Sequence, residues 1–239
     1  MMLINQETWQ SQLRWNKFNM KVHQRRKQMD RALRWSVLLF IGFLAVTQQV
    51  LTYGPLVNFD NHVNRTHRPR FDGLSGFILR RLDDLGLRWL TATVLILAAA
   101  FIAYKFKTWR PLNLAVLSLL ALNLVVGTFK LFLGRTKPRD GFDLLHAGGM
   151  SYPSGHASNA VLSWGILAYL IYRYAKVDKY QGRLASAGVV TISLTICIVS
   201  LIRHTHWFTD LLGGLFIGSA LLVAVIAVDR YVPSKSQLH

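Results

Sequence analysis

The chain has 239 residues, 52% of them hydrophobic and 16% charged, with a mean hydropathy of +0.29. A soluble globular fold fits this poorly, because it would have to bury several long apolar helices inside a small protein. The net charge of +17 invites nucleic acid, but the basic residues are distributed as a topology signal, so no nucleic-acid partner is expected.

Residues 1–33 are basic, with Arg14, Lys17, Lys21, Arg25, Arg26, Lys27 and Arg31, and Arg34 follows at the head of the first apolar stretch. Trp9, Leu13, Trp15, Phe18 and Val22 interleave with these charges. That composition suits an interfacial helix on anionic lipid, and equally a solvated tail that serves only to set topology. The apolar stretch starts too late and continues too far for a cleavable signal peptide. Six windows are long and apolar enough to cross a bilayer: 34–53, 88–105, 111–133, 157–174, 185–203 and 208–228. The predicted fold is an all-α polytopic membrane protein, a six-transmembrane-helix bundle. Residues 1–33 form a basic cytoplasmic segment, 34–228 the membrane domain and 229–239 a cytoplasmic tail.

With the N-terminus inside, Lys105, Lys107, Arg110, Arg173, Lys176, Lys179, Arg183, Arg230 and Lys235 fall on the same side. That face then holds more than half of the Lys and Arg, as the positive-inside rule requires, and both termini are cytoplasmic. Between the first two windows, residues 54–87 form the longest polar connection. Its Phe77, Ile78, Leu79, Leu82 and Leu85 suit a short amphipathic helix along the membrane surface. The lone Cys197 lies mid-span, which excludes an internal disulfide and a thiolate metal site. Gly214 and Gly218 stand four apart in the last window, a spacing that lets two helices approach closely. Packing within the bundle is the expected use, with a dimer seam as the lesser alternative.

Polar residues at the mouths of membrane helices point to function. Three such clusters fall on the outer side of this topology. Residues 130–140, KLFLGRTKPRD, carry Lys130, Arg135, Lys137 and Arg139 with no acid until Asp140. Four cations so placed suit a phosphoryl group, although snorkelling to lipid headgroups would use the same residues. At 153–156, Pro153 opens a helix whose first N–H groups attract anions, beside the Ser154 hydroxyl, Gly155 and the His156 ring; an ordinary helix entry with an incidental histidine is the alternative. At 203–210, RHTHWFTD sets His206 and Asp210 four apart, so that on a helix start a carboxylate holds one ring nitrogen and leaves the other to attack. A capped helix with a surface histidine would look the same.

Together the three segments resemble the signature of the type-2 phosphatidic acid phosphatase superfamily: Lys-x6-Arg-Pro, Pro-Ser-Gly-His, and Ser-Arg-x5-His-x3-Asp. Lys130 followed at the right distance by Lys137-Pro138 matches the first part, Pro153-Ser154-Gly155-His156 the second, and His206 with Asp210 the end of the third. Two positions depart from the pattern. Lys137 replaces an arginine, keeping the charge and losing the planar fork, and Ser200 stands at the arginine of the third part, with Arg203 three residues on.

The resemblance implies phosphate transfer through a phosphohistidine, without a metal or other cofactor. His206 is the implied nucleophile, Asp210 orients it, and His156 acts as general acid and then general base. Lys130, Lys137, Ser154, Gly155 and Arg203 are the implied phosphate-binding set. A phospholipid or isoprenyl phosphate is the expected substrate, handled by a multi-pass protein of a bacterial inner membrane with its site facing outward. The modest size and the HWFTD segment are similar to members that handle undecaprenyl diphosphate, including those that pass its phosphate to lipid A. The alternative is a catalytically impaired relative that binds or moves phospholipids.

Overall fold

The computed structural model of the chain describes residues 6–66, 71–175 and 177–232, with side chains from Met20 onward except Lys21. Eight α-helices follow in order: α1 Gln6–Leu51, α2 Pro55–Arg65, α3 Gly73–Asp84, α4 Arg88–Lys105, α5 Arg110–Leu133, α6 Gly155–Tyr174, α7 Lys179–Ile202 and α8 Phe208–Tyr231. A single 3-10 turn, Pro138–Asp140, sits in the connection from α5 to α6. The described residues contain no strand, and the fold is all-α as expected.

The helix starts are chemically explicit. Pro55 and Pro111 stand in the first turns of α2 and α5, where a missing N–H is harmless. At α7 the Asp178 carboxylate accepts from Gln181 N–H at 2.7 Å, and the Gln181 side chain accepts from Asp178 N–H at 3.2 Å. The C-terminus of α5 stops at Gly134, whose φ of 54° is a left-handed conformation. A Cβ there would lie 3.2 Å from His146 Cα, so glycine also admits the returning loop.

Five stretches are long and apolar enough to cross a membrane: Val22–Leu51, Arg88–Lys105, Arg110–Asp140, Lys179–Ile202 and Phe208–Tyr231. They carry outward-facing Leu97, Phe101, Leu117, Leu124, Leu131, Val190 and Ile198, the surface a bilayer would cover. The sixth expected span, α6, is not among them. It packs against α4, α5, α7 and α8 and buries Ser158, Asn159 and Ser163 among its apolar residues. A helix wrapped by protein need not be apolar all round, which is why its composition falls short of a lipid-facing span.

α1 is one continuous helix through residue 33. Its 46 residues extend about 70 Å, more than twice a hydrocarbon core of about 30 Å. Val22 is exposed on it; the side chains of Trp9, Leu13, Trp15 and Phe18, with Lys176 and Lys235, lie outside the described residues. The connection at 54–87 holds two helices, α2 as well as the expected α3.

The long helices alternate in direction, and hydrogen bonds join their matching ends. At one end Arg110 from the start of α5 and Arg173 from the end of α6 both pair with Asp229 near the end of α8, the Arg110–Asp229 contact at 2.7 Å. Tyr169 also donates to Asp229. At the other end Ser154 N–H donates to Asp210 O at 2.9 Å, tying the start of α6 to the start of α8. The core between is apolar, built on Phe43, Val46, Leu95, Ala99, Leu122, Leu162, Ile166 and Ile217. Gly214 and Gly218 serve the α6–α8 contact: a Cβ at Gly214 would meet Ser154 O at 2.6 Å and one at Gly218 would meet Ser158 O at 2.9 Å.

Candidate functional site

The end of the bundle opposite Asp229 gathers the three sequence clusters. After Ile202 the chain turns through His204 at a φ of 53° and re-enters as α8. Asp210, three residues beyond Trp207, accepts from the Trp207 N–H at 2.9 Å, and this bond starts the helix. The same carboxylate oxygen faces His206 Nδ1 at 3.4 Å and accepts from the Ser151 hydroxyl. With Nδ1 turned toward Asp210, the ring presents Nε2 on its other side. His206 is 6% exposed and Asp210 fully buried.

His156, in the first turn of α6, brings its ring to 5.9 Å from that of His206, centroid to centroid. Ser154 caps this helix, its hydroxyl accepting from Ala157 N–H at 3.3 Å. The chain enters the cap through a cis Tyr152–Pro153 bond, and the Tyr152 hydroxyl is anchored on Thr47 of α1 at 2.8 Å. A Cβ on Gly155 would lie 3.9 Å from Lys130 Cε, so the lysine at the end of α5 stands beside the open turn of α6. Its ammonium donates to Met150 O. Lys137 is half-buried, and its charge acts on both His156 and Lys130. His206, His156, Asp210, Lys130, Ser154 and Gly155 therefore share one end and one neighbourhood, with Lys137 at its margin.

Arg203 stands at the α7–α8 turn, three residues before His206. It closes the C-terminus of α7 and its guanidinium binds the Asp83 carboxylate of α3. Ser200, at the position of the expected arginine, donates to the other oxygen of Asp83 at 2.9 Å. Both residues thus hold a carboxylate that the sequence did not single out.

Arg135, one of the four cations of the 130–140 cluster, is fully buried. All five of its N–H donors are used: Nε and one Nη on Asp143, the others on Asp60, Thr209 and Asp210, at 2.6 to 2.8 Å. Asp60 of α2 also accepts the Thr209 N–H at 2.9 Å, satisfying a first-turn donor of α8. Burial pushes the Asp60 carboxyl above the usual carboxylate range, against the pull of Arg135 and Thr209. Trp207 covers the guanidinium, its ring 5.3 Å away, and its indole N–H donates to Thr136 O at 2.9 Å. Arg139 is exposed. Neither Asp60 nor Asp83 lies in a local pattern that would mark it, since their partners are more than 70 positions away.

Chemically the site offers an imidazole oriented by a buried carboxylate, a second imidazole across from it, and a helix N-terminus with a lysine alongside. That set accepts an anion of phosphate size and supplies both a nucleophile and a proton donor. Among the described residues no group of three His, Cys, Asp or Glu is placed to hold a metal ion.

Residues 111–233 match the sequence profile of the PAP2 superfamily. The chain is 29% identical over 146 residues to phosphatidylglycerophosphatase B of Bacillus subtilis (strain 168), covering 60% of this chain and 70% of that relative. In fold it is similar to the crystal structure described as the first transmembrane PAP2 type phosphatidylglycerolphosphate phosphatase from Bacillus subtilis. The TM-score is 0.74 at 21% identity, over 84% of this chain and 98% of the other.

Proposed function

This chain belongs to the PAP2 superfamily, and from that premise we propose that it is an integral-membrane lipid phosphatase working through a phosphohistidine at the outer face of the membrane. The observation that carries the reading is the His206–Asp210 pair with the His156 ring 5.9 Å from that of His206. His206 Nε2 attacks phosphorus as the bond to the leaving oxygen breaks, and His156 gives that oxygen its proton. Asp210 holds Nδ1 and stabilises the ring cation. Water then attacks the phosphohistidine, giving its proton to His156, and orthophosphate leaves with His206 restored. Lys130, Lys137, the Ser154 hydroxyl, the Gly155 N–H and Arg203 hold the phosphate oxygens.

The name of the Bacillus relative makes phosphatidylglycerol phosphate the first substrate to test, ahead of phosphatidate and undecaprenyl diphosphate. The test is phosphate release by the purified protein from each of these lipids. Turnover of at least one, lost in His206→Ala, is the expected result; equal turnover by His206→Ala ends the phosphohistidine reading. A second reading, a relative that binds phospholipids without turning them over, draws on Ser200 and on the engagement of Arg203 by Asp83. It predicts lipid binding with no phosphate release from any of the three.

A further inference from the structure

Asp83 ends α3, outside all three sequence clusters, and is only 5% exposed. Its carboxylate is held by Ser200 and Arg203 on α7. The turn that follows presses on the start of α6. A Cβ on Gly86 would lie 2.9 Å from His156 O and 3.0 Å from His156 Cβ. Gly86 N–H donates to Asp83 O at 3.0 Å, and Trp164 of α6 donates to Leu85 O at 3.0 Å. Asp83 is thereby fixed on one side to α7 and on the other to the turn carrying His156.

The charges around His156 give this placement a chemical meaning. Burial is the largest influence against a charged His156; Lys130 from α5, Lys137 from the loop after it and His206 from the α7–α8 turn add to it, and Asp83, from α3, is the acid that opposes them. Arg88, at the start of α4, adds its positive charge near Lys130. An imidazole among cations gives up its proton readily, yet a general acid must carry that proton when substrate binds. A phosphate-binding pocket has to be cationic, so its acid needs a negative neighbour that does not itself occupy the phosphate position.

We propose that Asp83 is a positioning residue of this site, fixing Arg203 at its edge and favouring the proton-bearing form of His156 against the burial and the cations that oppose it. The proposal rests on the phosphatase reading for its role in turnover, although the coupling of Asp83 to His156 does not. It also assigns Arg203 two opposed effects. Arg203 binds substrate phosphate, and it partly neutralises the carboxylate that keeps His156 charged.

Two readouts test it. In [15N]histidine-labelled protein in detergent, with the His156 resonance identified by its loss in His156→Gln, Asp83→Asn should lower the titration midpoint of His156 by about half a pH unit or more. Arg203→Ala should raise it, and Asp83→Glu should restore it toward the parent value. In turnover, the alkaline limb of kcat/KM should move the same way in each variant. Asp83→Asn should lose on the order of tenfold on a lipid monophosphate with its poor leaving group, and less on p-nitrophenyl phosphate, where the leaving oxygen needs no proton. A merely structural role would lower both substrates alike and leave the limb in place. An unmoved His156 midpoint in well-folded Asp83→Asn, or movement in the same direction in Asp83→Asn and Arg203→Ala, overturns the proposal. Midpoints that move as expected in a protein that releases no phosphate would instead overturn the phosphatase reading and leave the coupling standing.

Discussion

Arg135 shows how much one residue can settle at this site. Its guanidinium fork binds Asp143 twice while reaching Asp60, Thr209 and Asp210, so three buried carboxylates share one cation. Removing it takes from all three the cation they share. Arg135→Ala should therefore cost about 3–5 kcal/mol of stability, read as a lowered midpoint of thermal unfolding in detergent. Arg135→Lys should recover little, because an ammonium cannot span the same set of oxygens. For the proposed catalytic pair, His206→Ala should abolish phosphate release from every substrate, while His156→Ala should block it chiefly where the leaving oxygen must be protonated; equal losses on lipid phosphate and on p-nitrophenyl phosphate would remove His156 from the role of acid. Arg203→Ala should lower turnover on the order of a hundredfold, and a parent-like rate would leave phosphate binding to Lys130 and Lys137. The residues of the three clusters were legible in the sequence because each cluster is local. The burial of Arg135 was not legible because partners of its guanidinium come from α2 and α8, and Asp83 was invisible because Ser200 and Arg203 stand on a different helix. Spacing along a chain reports neighbours on one helix, and these contacts exist only once the helices have packed.

At the scale of the elements, the glycines of α8 join packing to chemistry. Gly214 lies against Ser154 O and Ala157 Cβ, so a side chain there pushes on the cap of α6 itself. Gly214→Ala should cost about 1–3 kcal/mol through overpacking and lower activity together with stability. Gly127→Ala on α5 is the matched control, because its Cβ would meet nothing within 4 Å. It should be neutral, or stabilising by a few tenths of a kcal/mol up to about 1, in the same unfolding measurement. The close spacing of Gly214 and Gly218 was readable as an approach of two helices, though not which helix would approach. The ends of α4 and α5 lie within two residues of their hydrophobic windows, since the switch from apolar to charged residues marks where a lipid-facing helix must stop. α2 escaped notice because its role is to deliver Asp60 and Asn64 to the α7–α8 turn and to the start of α8, and its polar sequence carries no long apolar face. The run of α1 through its basic half escaped for the opposite reason, in that charge there marks a change of surroundings without a break in the helix.

On the scale of the whole molecule, the two ends of the bundle differ in chemistry. The histidine end carries the loops at 52–54, 134–154 and 203–207, and the Asp229 end carries Lys105, Lys107, Arg110, Arg173, Lys179, Arg183 and Arg230. We expect the basic end to face the cytoplasm. In sealed cells an engineered thiol at Phe142 should then react with an impermeant maleimide from outside, and one at Lys179 only after lysis; the reverse pattern would invert the topology. The Asp229 end has a further meaning for this arrangement. Arg110, Arg173 and Tyr169 draw the termini of α5, α6 and α8 onto one nearly buried carboxylate. Ties of this kind oppose any rocking of the helices that would expose the histidines to the opposite compartment. The proposed reaction would then be one-sided: a headgroup would arrive and orthophosphate depart on one face, and the dephosphorylated lipid would stay in its own leaflet. In the proposed orientation, a cell using such a phosphatase would shed the released phosphorus to its exterior, and recovering it would become the work of a separate importer.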